Sequence, residues 1–325
     1  MKQTLTRTRA ISLVSATIAS AAIGSTRGAF AQQSEPLRIA VIPSDIGGEA
    51  YYAADAGFFA KAGYRAEFTG IPSGAAISAA VAGGSADVGF SNVVSLAIAH
   101  ERGLPFTILA PATLHTPDKV TAGILTVAQN APIRSGKDLN GKTIAINGLN
   151  NISDVSVRAW VDQNGGDSKT LKFTELPFPA MPEAVRTGRV DAASIDGANE
   201  QLLAQPNSGL RRLANVFNAV GSRWVPSTWF STTEWVEKHP TAAKAFVRVI
   251  AEAGAWANAH HAESADILAK YLRKTPQQVE AVTRAPYALK LTPALIQPSI
   301  DLAAKYGVIK KAFPARDLIS PLAAG

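Results

Sequence analysis

The chain has 325 residues, 47% of them hydrophobic, with a formal net charge of +7 and no cysteine. This length and apolar content suit a folded protein with room for two domains, and they exclude a disordered chain. The lack of cysteine excludes disulfides, thiolate metal sites and a cysteine nucleophile.

The N-terminus carries Lys2, Arg7 and Arg9, then the apolar run "AISLVSATIASAAIG", then "AFA" at residues 29–31. This order is the signature of a secretory signal peptide, residues 1–31, cleaved near Ala31. The run is too short for a membrane anchor, and Thr8 splits the arginines of any twin-arginine signal. Cleavage removes four basic residues and no acid, which leaves a net charge of +3. Beyond residue 31 no stretch has the length of a transmembrane helix. No basic cluster with interleaved aromatics points to nucleic acid.

The next elements occur twice at a spacing near 104 or 105 residues, with the helical pair one to three residues closer. "IAV" at 39–41 and "IAI" at 144–146 read as buried parallel strands. A helical stretch follows each, at 50–64 and 153–167, ending at Gly63 and Gly165. "FTGIP" at 68–72 matches "FTELP" at 173–177. After a second helix, "AVAGGSADVGFSN" at 80–92 matches "AVRTGRVDAASID" at 184–196. Each half thus reads strand, helix, strand, helix, strand, which predicts an α/β protein with two similar lobes. Expected boundaries are 32–114 for the first part of lobe 1 and 115–220 for lobe 2. Residues 221–325 would form a crossover and a helical return onto lobe 1. Pro240 is expected near the start of a long helix, and Thr275-Pro276 and Thr292-Pro293 as helix starts.

Ligands of open α/β sheets sit outside the C-terminal ends of the strands. Two facing lobes would put two such rows across one cleft. The candidate binding residues follow from that placement. After the first strand come Ser44 and Asp45, with Tyr51 on the next helix. Ser73 follows the second strand, and Ser91 and Asn92 end the third. In lobe 2 the loop "NGLNNISD" supplies Asn147, Asn150 and Asn151, as ligand contacts, as helix caps, or as both. Asp196 ends the matching third strand. Trp229 follows the crossover and could wall the cleft or pack in the hinge, as could Trp224. Asp45, Glu49, Asp196 and Glu200 lie near strand ends or helix starts; if several point inward, the cleft suits an amine, a zwitterion or a hydroxylated compound better than a simple anion.

Several motifs mislead. "GKDLNGKT" at 136–143 fits the phosphate-loop pattern, but a strand follows it where the mechanism needs a helix, so no nucleotide is expected. His260 and His261 are adjacent, without the i, i+4 spacing of a helical metal pair, and neither metal nor cofactor is expected. No G-x-S-x-G, H-E-x-x-H or S-x-x-K set suggests an enzyme.

Taken together, "YYAADAGFFAKAGYRAEF", "PSGAAISAAVAGGSADVGFSN", "SGKDLNGKTIAINGLNN", "VDQNGGD", "LPFPAMPEAVRTGRVDAASID" and "STTEWVEKHPTAAKAFVRVI" resemble the solute-binding proteins of bacterial ABC importers, in the nitrate, sulfonate and taurine class. The resemblance covers nearly the whole mature chain. It implies the type II periplasmic-binding-protein architecture, with mixed, mainly parallel sheets and a ligand cleft between the lobes. It also implies a periplasmic, monomeric protein that carries a small organic or anionic solute to an ABC permease, with sulfonates, taurine-like compounds, aromatic acids and pyrimidines among the solutes of the class. A secreted enzyme, or a ligand sensor for a membrane receptor, would share the scaffold.

Overall fold

Among the described residues ten short runs form strands, most of them carrying β-branched or aromatic residues. These are β1 (Glu35–Val41), β2 (Tyr64–Gly70), β3 (Val88–Asn92), β4 (Phe106–Pro111) and β5 (Ala122–Ala128), then β6 (Thr143–Ile146), β7 (Lys172–Glu175), β8 (Ala192–Asp196), β9 (Leu210–Asn215) and β10 (Ser227–Thr232). The computed structural model describes residues 35–119, 122–205, 207–281 and 283–323. The expected signal peptide and its cleavage point lie outside these residues.

The strands form two five-stranded sheets, ordered β2-β1-β3-β10-β4 and β7-β6-β8-β5-β9. In the first, β1 runs parallel to β2 and β3, and β10 is antiparallel to β3 and β4. The second repeats this pattern: β6 runs parallel to β7 and β8, and β5 is antiparallel to β8 and β9. Both sheets are therefore mixed, and helices flank them, as expected from the two-lobe reading. One antiparallel strand in each sheet was absent from the strand-helix alternation read in the sequence.

The sequence repeat has a structural cause. Arg38 N donates to Asp87 Oδ2 at 2.8 Å, and Asp87 N donates to Arg38 O at 2.8 Å. In the other sheet Thr143 N donates to Asp191 Oδ2 at 2.8 Å, and Asp191 N to Thr143 O at 2.9 Å. Each aspartate thus pins the start of its third strand to the first strand. Gly84 and Gly188, three residues earlier, have φ of 70° and 71°, a left-handed turn that ends the preceding helix at little cost only for glycine.

The segments joining the two sheets pair with each other. His115 N donates to Trp224 O at 2.8 Å, and Trp224 N to His115 O at 3.3 Å. Trp224 is buried against Phe217 and His115, so it packs the crossover and does not wall a cleft. Pro240 opens the long helix Pro240–Ala259, as expected, and a short helix, Thr233–Lys238, precedes it. The long helix buries Phe246, Val249, Ile250 and Ala253, and it packs on the helix Gly48–Asp55 of the first sheet's layer. The helix Pro293–Lys305 touches helices of both lobes, Val93–Glu101 and Ile152–Gln163. "GKDLNGKT" is a 3-10 turn followed by β6, as the order of elements required. Among the described residues no helix is long and apolar enough to cross a membrane.

Candidate functional site

The third strand of each sheet ends on a polar residue that reaches the opposite lobe. Asn92, last in β3, accepts from Ile152 N at 3.3 Å through Oδ1. Asp196, last in β8 and 104 residues later, accepts from Ser44 Oγ at 2.5 Å through Oδ2. Each also serves its own lobe. Asn92 Oδ1 caps the helix Val93–Glu101 by accepting from Ser95 N at 3.0 Å, and Asp196 Oδ1 accepts from Asn199 Nδ2 at 2.6 Å. The repeat therefore supplies two pseudo-equivalent cross-lobe hydrogen bonds, one with an amide and one with a carboxyl.

Apart from Ile152 N and Leu149 N, which donate to Asn92 and Glu175, the loop "NGLNNISD" bonds largely within itself. Asn151 caps the helix Ile152–Gln163, with Oδ1 accepting from Ser153 N at 2.8 Å and Asp154 N at 3.1 Å. Its Nδ2 donates to Asn147 Oδ1 at 3.0 Å, which also accepts from Ser153 Oγ at 3.2 Å. Asn150 has φ of 54°, and its N–H goes to Asp154 Oδ2 at 3.0 Å. Arg158 is held by Asp154 at 2.5 Å and lies over the Phe173 ring, so it does not reach the cleft as a free cation.

Two cavities lie along this seam and share Ile42 and Phe178. The inner one, about 40 Å³, is lined by residues of both lobes: Asn92, Asn147, Asn151, Phe90, Phe178 and Phe217 among others. None of its lining side chains is charged. The outer one, about 570 Å³, is bounded by Asp196, Asn199, Phe178, Tyr271, Arg273 and Lys274. Prolines from both lobes, Pro43 and Pro72 facing Pro177 and Pro179, complete its rim. Pro72 and Pro177 are the closing residues of the repeated "FTGIP" and "FTELP". An organic ligand fits a space of the outer size.

Burial dominates the electrostatics here. It raises the Asp196 carboxyl above the ordinary range, against the opposing pull of hydrogen bonds from Ser44 and Asn199 and of nearby Lys274. It lowers the Lys274 ammonium, which the Asp196 charge partly restores. Tyr271 is raised to about 12, by burial and then by Asp55.

Of the residues predicted from the sequence, Ser44, Asn92, Asn147, Asn151 and Asp196 meet at the seam. Ser73 caps the helix Gly74–Ala82 and lies close to Gly148 of the other lobe. Ser91 is fully buried beneath Gly74, where any Cβ would collide with its Oγ. Asn150 lies away from both cavities, in a shallow groove with Ala75, Ser95 and Arg102. Three candidates are drawn into lobe 1 instead. Asp45 bonds Ala285 N at 2.6 Å and Arg284 Nε at 3.2 Å. Tyr51 is 3% exposed and stacks at 4.1 Å behind Tyr271. Trp229 lies in the core of β10, packed on Phe90 and Phe246, with Nε1 donating to Glu49 Oε2 at 2.7 Å. Its N–H finds a buried acid there, and no part of the ring faces the cleft.

The lining residues Phe178, Phe217, Tyr271 and Lys274 were not anticipated. "LPFPAMP" offered a signal for Phe178, because its prolines follow a strand end. Tyr271 and Lys274 come from the helical return, which no strand-end rule covers.

No curated protein matches the sequence. Solved structures of the same fold do. The periplasmic aliphatic sulphonate-binding protein SsuA from Escherichia coli is 21% identical with a TM-score of 0.69, over 88% of this chain and 92% of that one. The periplasmic nitrate-binding protein NrtA from Synechocystis PCC 6803 is 14% identical with a TM-score of 0.71, over 89% and 87%. A point mutant of DszB, in complex with biphenyl-2-sulfinic acid, is 12% identical with a TM-score of 0.63, over 89% and 97%. At these identities the likeness is one of fold, and the fold is that of periplasmic binding proteins. The sequence pattern described as NMT1/THI5 like matches residues 48–264, about two thirds of the length, and the chain belongs to the NMT1/THI5-like family.

Proposed function

We propose that the protein is an exported solute-binding protein that closes two lobes on a small organic molecule and presents it to an ABC permease. The pair of cross-lobe hydrogen bonds, Ile152 N to Asn92 and Ser44 to Asp196, carries this reading, because it ties the two equivalent strand ends to the opposite lobe beside the two cavities. The crossovers paired at His115 and Trp224 are the hinge, and they separate residues 32–114 and 221–325 from 115–220. Ligand contacts with both lobes would favour the closed state. Export through a signal peptide ending near Ala31, periplasmic location and a monomeric state belong to the same reading.

The structural likeness to DszB raises an enzyme as the second reading. No histidine or cysteine lines either cavity, which favours binding over nucleophilic chemistry there.

A thermal-shift screen tests the proposal, with sulfonates, taurine, nitrate, aromatic carboxylates, pyrimidines, amines and ATP. A ligand at one hundred times its Kd adds about 2.7 kcal/mol to the folded state. A shift with one chemical group and none with ATP is expected. Turnover of that ligand on prolonged incubation would replace this reading with the enzyme.

A further inference from the structure

We infer that the solute is an uncharged organic molecule that donates a hydrogen bond, from an amide, hydroxyl or aromatic amino group, to the Asp196 carboxyl in place of the Ser44 hydroxyl, and that it is not a bare inorganic anion or a simple sulfonate. This rests on the solute-binding reading and names its chemical class. The helix starts that would hold an anion are already occupied by side-chain oxygens. Ser95 N and Ile152 N share Asn92 Oδ1, and Ser153 N and Asp154 N share Asn151 Oδ1. An anion would have to displace an amide oxygen from each pair, with no cationic side chain in the inner cavity to compensate.

Asp196 is the contrasting end. It is 2% exposed, stands on the rim of the outer cavity, and its oxygens are held by the Ser44 hydroxyl and the Asn199 amide. The hydroxyl comes from the other lobe. Opening the cleft removes it and leaves a buried carboxyl oxygen that an incoming N–H or O–H restores. The exposed Arg273 and the half-buried Lys274 line this cavity beside Asp196, and Lys274 interacts with the Asp196 charge, so acid and bases offset one another and the local balance suits a neutral donor better than a free cation or a bare anion. The repeat-equivalent residue in lobe 1 is Asn92, so only one end of the seam carries a carboxyl. The outer cavity, about 570 Å³ and walled by four prolines, Phe178 and Tyr271, has room for a ring, far beyond what a four-atom anion fills.

Titration calorimetry and small-angle scattering on the purified protein test the assignment. One probe set holds uncharged amides, phenols and amino-heterocycles; the other holds nitrate and ethanesulfonate. The expected result is binding of at least one donor probe, weakened about tenfold by Asp196→Asn, with no binding of the two anions. Ser44→Ala, which removes the hydroxyl that competes with the solute for Asp196, should bind the donor more tightly than wild type, by up to about tenfold. This second variant keeps the test open should Asp196→Asn fail to fold. An anion that binds and compacts the protein, with Asp196→Asn unimpaired, overturns the solute class and sustains the solute-binding reading. A protein that no probe of either set compacts overturns both.

Discussion

Asp45 and Arg284 form an ion pair in which each side chain is only 6% exposed. Around it stand Tyr52 and Tyr287, whose hydroxyls reach Asp45 Oδ1 at 3.2 Å, and Ala285 N. Burial alone would lower the Arg284 guanidinium, but Asp45 and both tyrosines outweigh it and raise it. Removing one partner of such a pair strands the other charge, so Arg284→Met should cost about 3–5 kcal/mol of stability, read from urea unfolding. A loss under about 1 kcal/mol would show that water reaches the pair. Glu49 is a buried acid of the other kind. Burial raises it well above its ordinary 4.5, more than the Trp229 hydrogen bond lowers it. A carboxyl raised in the folded state contributes stability below its ordinary pKa and loses it as pH rises through the raised value. Within that window the native protein should lose about 1.4 kcal/mol per pH unit from this group. Glu49→Gln keeps an acceptor for Trp229 and has nothing to ionise, so its urea midpoint should fall less from about pH 5 to about pH 9 than the parent's. Parallel pH curves for the two proteins would remove Glu49 as the cause.

The third strands show what one repeated aspartate does for an element. Asp87 takes the Arg38 backbone N–H and its guanidinium, whereas Asp191 takes the Thr143 N–H and a longer contact with Lys142 at 3.3 Å. Asp87→Ala should therefore cost about 1–3 kcal/mol and Asp191→Ala about 1 kcal/mol, both by chemical denaturation; the reverse ranking would mean that the arginine contributes nothing. This repeat was legible because helix, left-handed glycine, aspartate and strand all lie within one short window. The antiparallel strands were not. β10, "STWFST", enters the first sheet after the chain has built the second one, and its pairing with β3 and β4 is set by residues more than a hundred positions away. The same distance hid the fate of two candidate site residues. Asp45 and Trp229 lie in a strand-end loop and a crossover strand by sequence, but Arg284 and Glu49 claim them. Asn92 and Asp196 were legible because the repeat itself marks the last residue of each third strand.

For the molecule as a whole, the proposed cleft stands between the paired crossover segments at His115 and Trp224 on one side and two polar contacts on the other. Opening must break Ser44–Asp196 and Asn92–Ile152 while leaving the His115–Trp224 pairing intact. A hydrogen bond to a buried carboxyl contributes about 1.5–3 kcal/mol if that group is ionised, and less if burial keeps it protonated. Since about 1.4 kcal/mol is tenfold in an equilibrium constant, Ser44→Ala should move the ligand-free population towards the open form by about tenfold or less in the protonated case and by more in the ionised one. Asp196→Asn should act in the same direction. Because the two side chains share one bond, the double variant should open the cleft less than the sum of the single changes. Asn92→Ala removes a cap as well as a bridge, so it should both open the cleft and lower stability, by about 1 kcal/mol for the cap. The absence of native cysteine allows one label to be placed in each lobe by single substitutions. Inter-label distances that stay the same in Ser44→Ala and in Asp196→Asn would show that the strand ends do not hold the cleft, and that the packing of Phe178 and Ile42 between the lobes does.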